Sequence, residues 1–159
     1  MAQLHAGCIF CKIIRQEIPC HKLLETEKVL AFLDINPLAP GHALVVPKFH
    51  GEKLHDVPED FVAEVAPTLR KLAIALNLNN YNVLQNNGKL AHQVLVLVAG
   101  SVLTTRPPAL CAHLQEVPHV HFHLIPKPDG ELGLGIKWKS LPTDHAAFSK
   151  LAEEIRGKL

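Results

Sequence analysis

Three histidines alternate with apolar residues at positions 119, 121 and 123 of the chain. Alternate side chains of a β-strand share one face, so the three imidazoles should point the same way while the residues between them enter the core. Rings about 6–7 Å apart along a strand pack poorly, and they repel one another when protonated. The spacing therefore predicts a chemical role, either as a face of metal ligands or as a nucleophile with flanking helpers.

Imidazole suits nucleophilic catalysis because it can be neutral near pH 7. It can attack phosphorus and can leave again from the phosphoramidate that forms. Such a site also needs a proton donor for the leaving group and donors for the non-bridging phosphate oxygens. Three histidines on one face, with the backbone N–H groups of a glycine-containing loop, would supply these groups without a metal at phosphorus.

A second constellation is the pair Cys8-x-x-Cys11 near the N-terminus. A short cysteine pair is half of a common zinc site, which two histidines from elsewhere in the chain can complete. Two buried thiols or a redox pair are the alternatives. Residues 1–7 lack the apolar core of a secretory signal, so the four cysteines (8, 11, 20 and 111) are interpreted as thiols or ligands rather than disulfides.

Length and composition fit a single domain, residues 1–159, with 48% apolar and 19% charged side chains. A formal charge of +1 without a lysine or arginine run argues against nucleic acid or an acidic membrane as a partner. The most apolar stretch, 94–103, is interrupted by Gly100 and Ser101 and is unsuited to cross a bilayer as one helix. The expected location is the cytoplasm, with the nucleus as a second candidate.

Hydrophobic periodicity predicts an α+β domain. A short apolar segment at 8–14 precedes four strands, at 29–35, 42–47, 81–86 and 119–125. Helical spacing marks 59–76, where Pro67 should kink the helix or fall in a first turn after a break. A second helix, 143–158, should turn Phe148, Leu151 and Ile155 inward and begin at Thr143 or Asp144 as its cap.

Residues 94–115 (VLVLVAGSVLTTRPPALCAHLQ) differ from their surroundings, because these 22 residues contain no Asp, Glu or Lys. One interpretation is a fifth strand, VLVLVA, with a proline-rich loop behind it. A loop of this length is uncommon inside a compact domain. We therefore expect an atypical insertion here.

The segment HVHFHLI resembles the His-x-His-x-His-x-x signature of the histidine triad family. The blocks CIFCKIIRQEIP, AFLDINPLAPGHALVVPKFH and NVLQNNG are similar to its Hint-type nucleotide-binding branch, and to fungal members in particular. The resemblance runs from residue 8 to about residue 138, apart from 94–115. It implies a five-stranded antiparallel sheet with two main helices, and a homodimer in which two copies form a ten-stranded sheet.

The same resemblance implies an enzyme that acts at the α-phosphate of a nucleotide through a nucleotidyl-histidine intermediate. Its expected substrate is a purine nucleotide or nucleoside phosphoramidate, and no organic cofactor is expected. A dinucleoside polyphosphate hydrolase is the alternative enzyme. A protein that binds nucleotides or partners without turnover is the alternative from another functional class.

Individual site residues follow from the resemblance by position. His121 is the implied nucleophile, His123 contacts the α-phosphate oxygens and His119 orders the site. Asp34 falls where the family holds the ribose hydroxyls, and a turn-capping role before Asn36 is the alternative. Asn86 falls near the sugar and phosphate, unless it only forms a turn. The apolar residues implied to flank the base are Ile9, Phe10 and Ile35.

The resemblance also completes the metal site, because His50 and His119 are implied partners of Cys8 and Cys11. A closed site of this kind would hold structural zinc and would fix the N-terminal segment against the catalytic strand. The other cysteines, and the histidines at 5, 21, 42, 55, 92, 113 and 145, are assigned no role.

The atypical segment interrupts the resemblance at the phosphate loop. Without it Gln93 would join Glu116 directly, and either Gln93 or Gln115 could serve as the family's phosphate-proximal glutamine. Valine codons begin with GT and one glutamine codon ends in AG. The segment therefore has the edges of a retained intron of 66 nucleotides, three for each of its 22 residues. This hypothesis puts the activity of the chain as given in question.

Overall fold

The computed structural model describes residues 4–97, 113–136, 140 and 144–159. Its strands, in chain order, are β1 (Lys22–Glu25), β2 (Val29–Leu33), β3 (Ala43–Pro47), β4 (Tyr81–Gln85), β5 (Val94–Leu97), β6 (His113–Glu116) and β7 (Phe122–Pro126). Five of them form an antiparallel sheet in the order β1-β2-β3-β7-β4. This confirms the expected five-stranded antiparallel sheet.

The helices are α1 (Ile9–Ile14), α2 (Glu59–Val62), α3 (Val65–Ala75) and α4 (His145–Arg156). Short 3-10 turns occupy Leu54–Asp56 and Lys89–Ala91. The predicted helix at 59–76 is thus divided between α2 and α3. Pro67 stands in the first turn of α3, where its missing N–H removes no intrahelical hydrogen bond. The first-turn alternative for this proline is confirmed.

The sheet buries both faces, because alternate residues of β2, β3 and β7 point to opposite sides. One face packs against α3 and the other against α1. On the α3 side the buried residues are Val29, Ala31, Ala43, Val45 and Leu124 from the sheet, with Val65, Leu69, Leu72 and Ala73 from α3. On the α1 side they are Leu30, Phe32, Leu44 and Val46 from the sheet, with Phe10 and Cys11 from α1.

Two strand predictions are corrected. The fifth strand of the sheet is β1, whereas VLVLVA contributes β5, which pairs with β6 in a separate two-stranded hairpin. β1 was missed because its sequence KLLE lies largely exposed on a sheet edge and shows little apolar alternation. β7 begins at Phe122 rather than at 119, because Val120 donates its N–H to the Gly51 carbonyl at 2.8 Å instead of entering the ladder.

The last helix is present, but its predicted inward face is wrong. Phe148, Leu151 and Ile155 are about half exposed, at 54%, 52% and 49%. Their spacing does give α4 one apolar side, but spacing alone does not say which surface covers it. Asp144 is the N-cap, and its Oδ1 accepts from the N–H groups of Ala146 and Ala147 at 3.0 Å.

Some predicted features fall outside the described residues, namely 98–112 of the atypical segment, with Cys111, and the alternative cap Thr143. Within the described ranges, no helix combines the length and the apolar character needed to cross a membrane.

Candidate functional site

The three alternating histidines lie at the start of β7, on the side of the sheet that α1 covers. His121 immediately precedes the strand and His119 lies two residues before His121, and both are buried, at 3% and 0% exposed. His123 is the second residue of β7 and lies opposite Leu44 of β3. The ring centroids of His121 and His123 are 5.1 Å apart. The structure therefore brings the predicted triad together, partly on a turn and partly on a strand.

The orientation of the His121 ring is fixed by one hydrogen bond. Its Nδ1 lies 2.7 Å from the backbone carbonyl oxygen of His119. Because a carbonyl can only accept, Nδ1 carries the proton and Nε2 keeps its lone pair. The edge of Phe10 packs against the ring with centroids 5.1 Å apart. Burial lowers the pKa of His121, so the ring is neutral at pH 7 and its Nε2 can act as a nucleophile.

A fourth histidine, His42, sets the orientation of His123. The Leu38 N–H donates to His42 Nδ1 at 3.1 Å, so the proton of the neutral ring is on Nε2. That Nε2 donates to His123 Nδ1 at 2.9 Å. His123 must then carry its own proton on Nε2, on the opposite side of its ring. Burial lowers the pKa of His42, and it lowers the pKa of His123 to about 3.

Asp34 adjoins this histidine pair. Its Oδ2 lies 3.6 Å from His42 Nε2 and 3.9 Å from His123 Nδ1. Its Oδ1 accepts the Asn36 N–H at 2.8 Å, so the turn-capping contact considered for this residue is present. The carboxylate therefore both closes the turn after β2 and lies at the edge of the histidine cluster. Its predicted contact with a ribose stays a prediction.

An apolar cleft opens beside Asp34, between α1 and the ends of β2 and β3. The residues implied to flank a base all line it, together with Phe32 and Leu44. Ile35 is 66% exposed and stands at its rim, whereas Phe10 is 2% exposed and its ring also packs against His119 and His121. A flat apolar ligand held in this cleft would lie next to Asp34.

Cys8, Cys11, His50 and His119 converge on a point behind the triad, and the four could hold a metal ion. His119 Nδ1 lies 3.4 Å from Cys8 Sγ, 3.5 Å from Cys11 Sγ and 3.3 Å from His50 Nδ1. Its Nε2 donates to the Pro47 carbonyl at 2.9 Å, which leaves the Nδ1 lone pair facing the cluster. Burial raises the pKa of the Cys11 thiol to about 11.

Comparison with known proteins identifies the family. A family model of the HIT domain matches residues 15–97. The adenosine 5'-monophosphoramidase HNT1 of Saccharomyces cerevisiae is 49% identical over 158 residues, which cover 99% of this chain and 86% of the yeast protein. The chain belongs to the histidine triad family. The resemblance drawn from its motifs is thereby confirmed.

Further members of the histidine triad family extend the likeness. The adenosine 5'-monophosphoramidase of Schizosaccharomyces pombe is 45% identical over 153 residues, which cover 96% of this chain and 98% of that protein. The crystal structure of a histidine triad nucleotide-binding protein from Candida albicans superposes with a TM-score of 0.78 at 43% identity, covering 96% of each chain. These relatives confirm the histidine triad fold.

The loop at 86–93, which the resemblance implies to be the phosphate loop, is held by its own side chains. Gln93 is buried, and its Oε1 accepts the Gly88 N–H at 2.6 Å while its Nε2 donates to the Glu52 carbonyl at 2.7 Å. Asn86 donates from Nδ2 to the His92 carbonyl at 2.9 Å. Gln93 thus closes the loop and occupies a backbone donor that was expected to face phosphate. Gln115 lies in β6, and its side chain is not described.

His42 is the site residue that the sequence analysis missed. The predicted strand began at His42, so the alternation of strand side chains already placed His42 and Leu44 on the same face. What the sequence did not show is that β7 lies beside β3 with Leu44 opposite His123. That register puts the two histidines on one face of neighbouring strands.

The tautomers of the three rings can be tested directly. We expect His121 to carry its proton on Nδ1, and His42 and His123 on Nε2, with all three neutral at pH 7. Each pKa is lowered by burial, so protonation should begin only below the ordinary value of 6.5. Long-range proton–nitrogen correlation spectra of labelled protein distinguish the two nitrogens. A His121 protonated on Nε2 would contradict the assignment.

Proposed function

We propose that this chain is an adenosine phosphoramidase that transfers the nucleotidyl group to His121 Nε2 and then to water. The observation that carries the proposal is the 2.7 Å contact between His121 Nδ1 and the His119 carbonyl, which presents a neutral, buried Nε2 lone pair. The names of the budding and fission yeast relatives support the substrate class.

The reaction divides into two displacements at phosphorus. In the first, the Nε2–P bond forms, the P–N bond of the substrate breaks, and the amine leaves after taking up a proton from solvent. In the second, water adds its hydroxyl group to phosphorus, the bond to His121 breaks, and the remaining proton of that water returns to solvent. The Nε2–H of His123 donates to a non-bridging oxygen, where charge develops in both transition states. His42 keeps that donor in place.

Asp34 and the apolar cleft supply substrate binding in this proposal. The Oδ2 of Asp34 accepts from the ribose hydroxyls, while Oδ1 remains bound to the Asn36 N–H. The base lies against Ile9 and Ile35 at the open side of the cleft, and Phe10 forms its floor. Apolar walls with a few fixed polar groups are typical of small-molecule sites.

The nucleophile can be tested by substitution. His121→Ala should reduce kcat for an adenosine phosphoramidate by several orders of magnitude, because the covalent route is lost, while nucleotide binding persists. His55→Ala is the matched control, since its side chain is 77% exposed. Both variants belong in an active background, scored by release of AMP and by calorimetric binding of AMP. Turnover of His121→Ala close to that of the parent would rule out the mechanism.

Zinc is the ion we propose for the cysteine–histidine cluster. Zn–N bonds of about 2.05 Å and Zn–S bonds of about 2.3 Å, arranged as a tetrahedron, separate two nitrogens by about 3.3 Å and a nitrogen from a sulfur by about 3.6 Å. The corresponding separations here are 3.3 Å between the Nδ1 atoms of His50 and His119, 3.4 Å from Cys8 Sγ to His119, and 3.4 Å and 3.5 Å from Cys11 Sγ to His50 and His119. All four positions are filled by side chains, so the ion would be structural.

Metal content tests this assignment. Purified protein should contain about one zinc per chain, and Cys8→Ser combined with Cys11→Ser should remove it with several kcal/mol of stability, because metal binding adds to folding free energy. Cys20→Ser is the control, since Cys20 lies outside the cluster. Elemental analysis and urea unfolding give the two readouts. A metal-free preparation whose unfolding is unaffected by chelator would refute the site.

We also propose that two copies pair through β4. This strand is one edge of the sheet, and Tyr81 and Val83 on it are 44% and 51% exposed. The other edge, β1, carries the exposed ion pair of Lys22 and Glu25. Charged side chains on an edge strand discourage pairing with another chain, whereas an uncharged edge permits it. Two sheets joined at β4 would form the ten-stranded sheet that the family resemblance implies.

The segment at 94–115 is, in our proposal, an insertion that leaves the sheet intact and disturbs the phosphate loop. Val94 and Glu116 are opposed in the hairpin of β5 and β6, so the two ends of the segment lie side by side. Opposed residues of an antiparallel pair are about 4.5–5.5 Å apart at Cα, against about 3.8 Å for bonded neighbours. The match to the HIT domain also ends at residue 97, inside the segment.

Removal of the segment tests the proposal. A variant lacking 94–115 should be more soluble and much more active as a phosphoramidase, since VLVLVA has high β-propensity and a shift of about 1 Å at a reacting centre can cost about a hundredfold in rate. Release of AMP from an adenosine phosphoramidate compares the two forms. Higher activity of the full-length chain would show that the segment is a functional element.

A further inference from the structure

His5 contacts the cluster formed by Cys8, Cys11, His50 and His119 but is not one of its four candidate ligands. Its backbone N–H donates to Cys11 Sγ at 3.3 Å, and its carbonyl accepts from the N–H of Cys8 at 3.2 Å. The main chain of this one residue therefore contacts both members of the cysteine pair.

The imidazole of His5 makes a separate contact with the cluster. Its ring stacks on the ring of His50 with centroids 5.3 Å apart and planes 24° apart. The Gly7 N–H donates to His5 Nδ1 at 3.3 Å and holds the ring in that position. His50 is only partly buried, whereas Cys8, Cys11 and His119 are buried. The stacked ring thus lies over the most accessible of the four ligands.

We propose that His5 is an outer residue of the metal centre that slows release of the bound zinc ion. The inference rests on the proposed zinc site and not on the proposed reaction. The effect comes from the side chain of His5. Its stacked ring restrains His50 and hinders the approach of water or a competing ligand, while the backbone hydrogen bonds of His5 to Cys8 and Cys11 keep the residue in place.

The experiment measures zinc dissociation from the full-length, zinc-loaded protein into an excess of a chromophoric chelator. His5→Ala removes the ring but keeps the backbone hydrogen bonds, so it should fold. It should release zinc about tenfold faster, in line with the roughly tenfold or greater loss of metal affinity that follows removal of a residue supporting a metal ligand. His5→Phe keeps a stacking ring and should release zinc nearly as slowly as the parent. His21→Ala is the control, because His21 is an exposed histidine outside the cluster.

The outcomes separate the two proposals. A parent protein that binds no zinc would refute the zinc site itself. A zinc-loaded parent whose release rate is matched within twofold by His5→Ala would overturn the role of His5 and leave the zinc site standing. Equally fast release from His5→Ala and His5→Phe would also overturn it, because the stacking ring would then have no effect. Circular dichroism of each zinc-loaded variant checks that its fold is unchanged.

Discussion

The rest of the site depends on one residue, His119, whose side chain and backbone carbonyl make contacts in two different clusters. The ring of His119 faces the cysteines and His50 through Nδ1, and its Nε2 is bound to the Pro47 carbonyl. The backbone carbonyl of the same residue receives the proton of His121 Nδ1. A displacement of His119 would therefore alter the cysteine–histidine cluster and the orientation of the His121 ring together. Because the candidate metal ligands and the proposed nucleophile both depend on His119, the N-terminal segment that carries Cys8 and Cys11 is coupled to the histidine cluster.

The alternation of β-strand side chains explains how distant parts of the chain meet at the site. Asp34 follows β2, His42 precedes β3 and His123 lies in β7, and all three project to the side that α1 covers. The polar groups are connected to one another, and no buried side-chain nitrogen or oxygen among the described residues lacks a hydrogen-bond partner. Such a connected network tolerates little displacement of its members, because a buried polar group that loses its hydrogen-bond partner destabilises the folded state.

The sequence predicted which histidines and cysteines come together better than it predicted the contacts between them. The triad, the cysteine pair and the first-turn position of Pro67 were recognised, because spacing and backbone chemistry determine them locally. His42 was missed because its partner is set by the pairing of β3 with β7, a contact across 81 residues. The exposed face of α4 was misassigned for a related reason, since periodicity finds an apolar side but not its neighbour. Tautomers were inaccessible because they follow from individual carbonyl and N–H positions.

The hairpin of β5 and β6 has a consequence for engineering. Since Val94 and Glu116 are opposed, foreign sequence placed between them would enter and leave the domain at neighbouring points, which is the geometry that inserted domains need. Gln93 immediately precedes the hairpin, and its Oε1 accepts the Gly88 N–H, so a guest sequence at this point would act first on the loop that Gln93 closes.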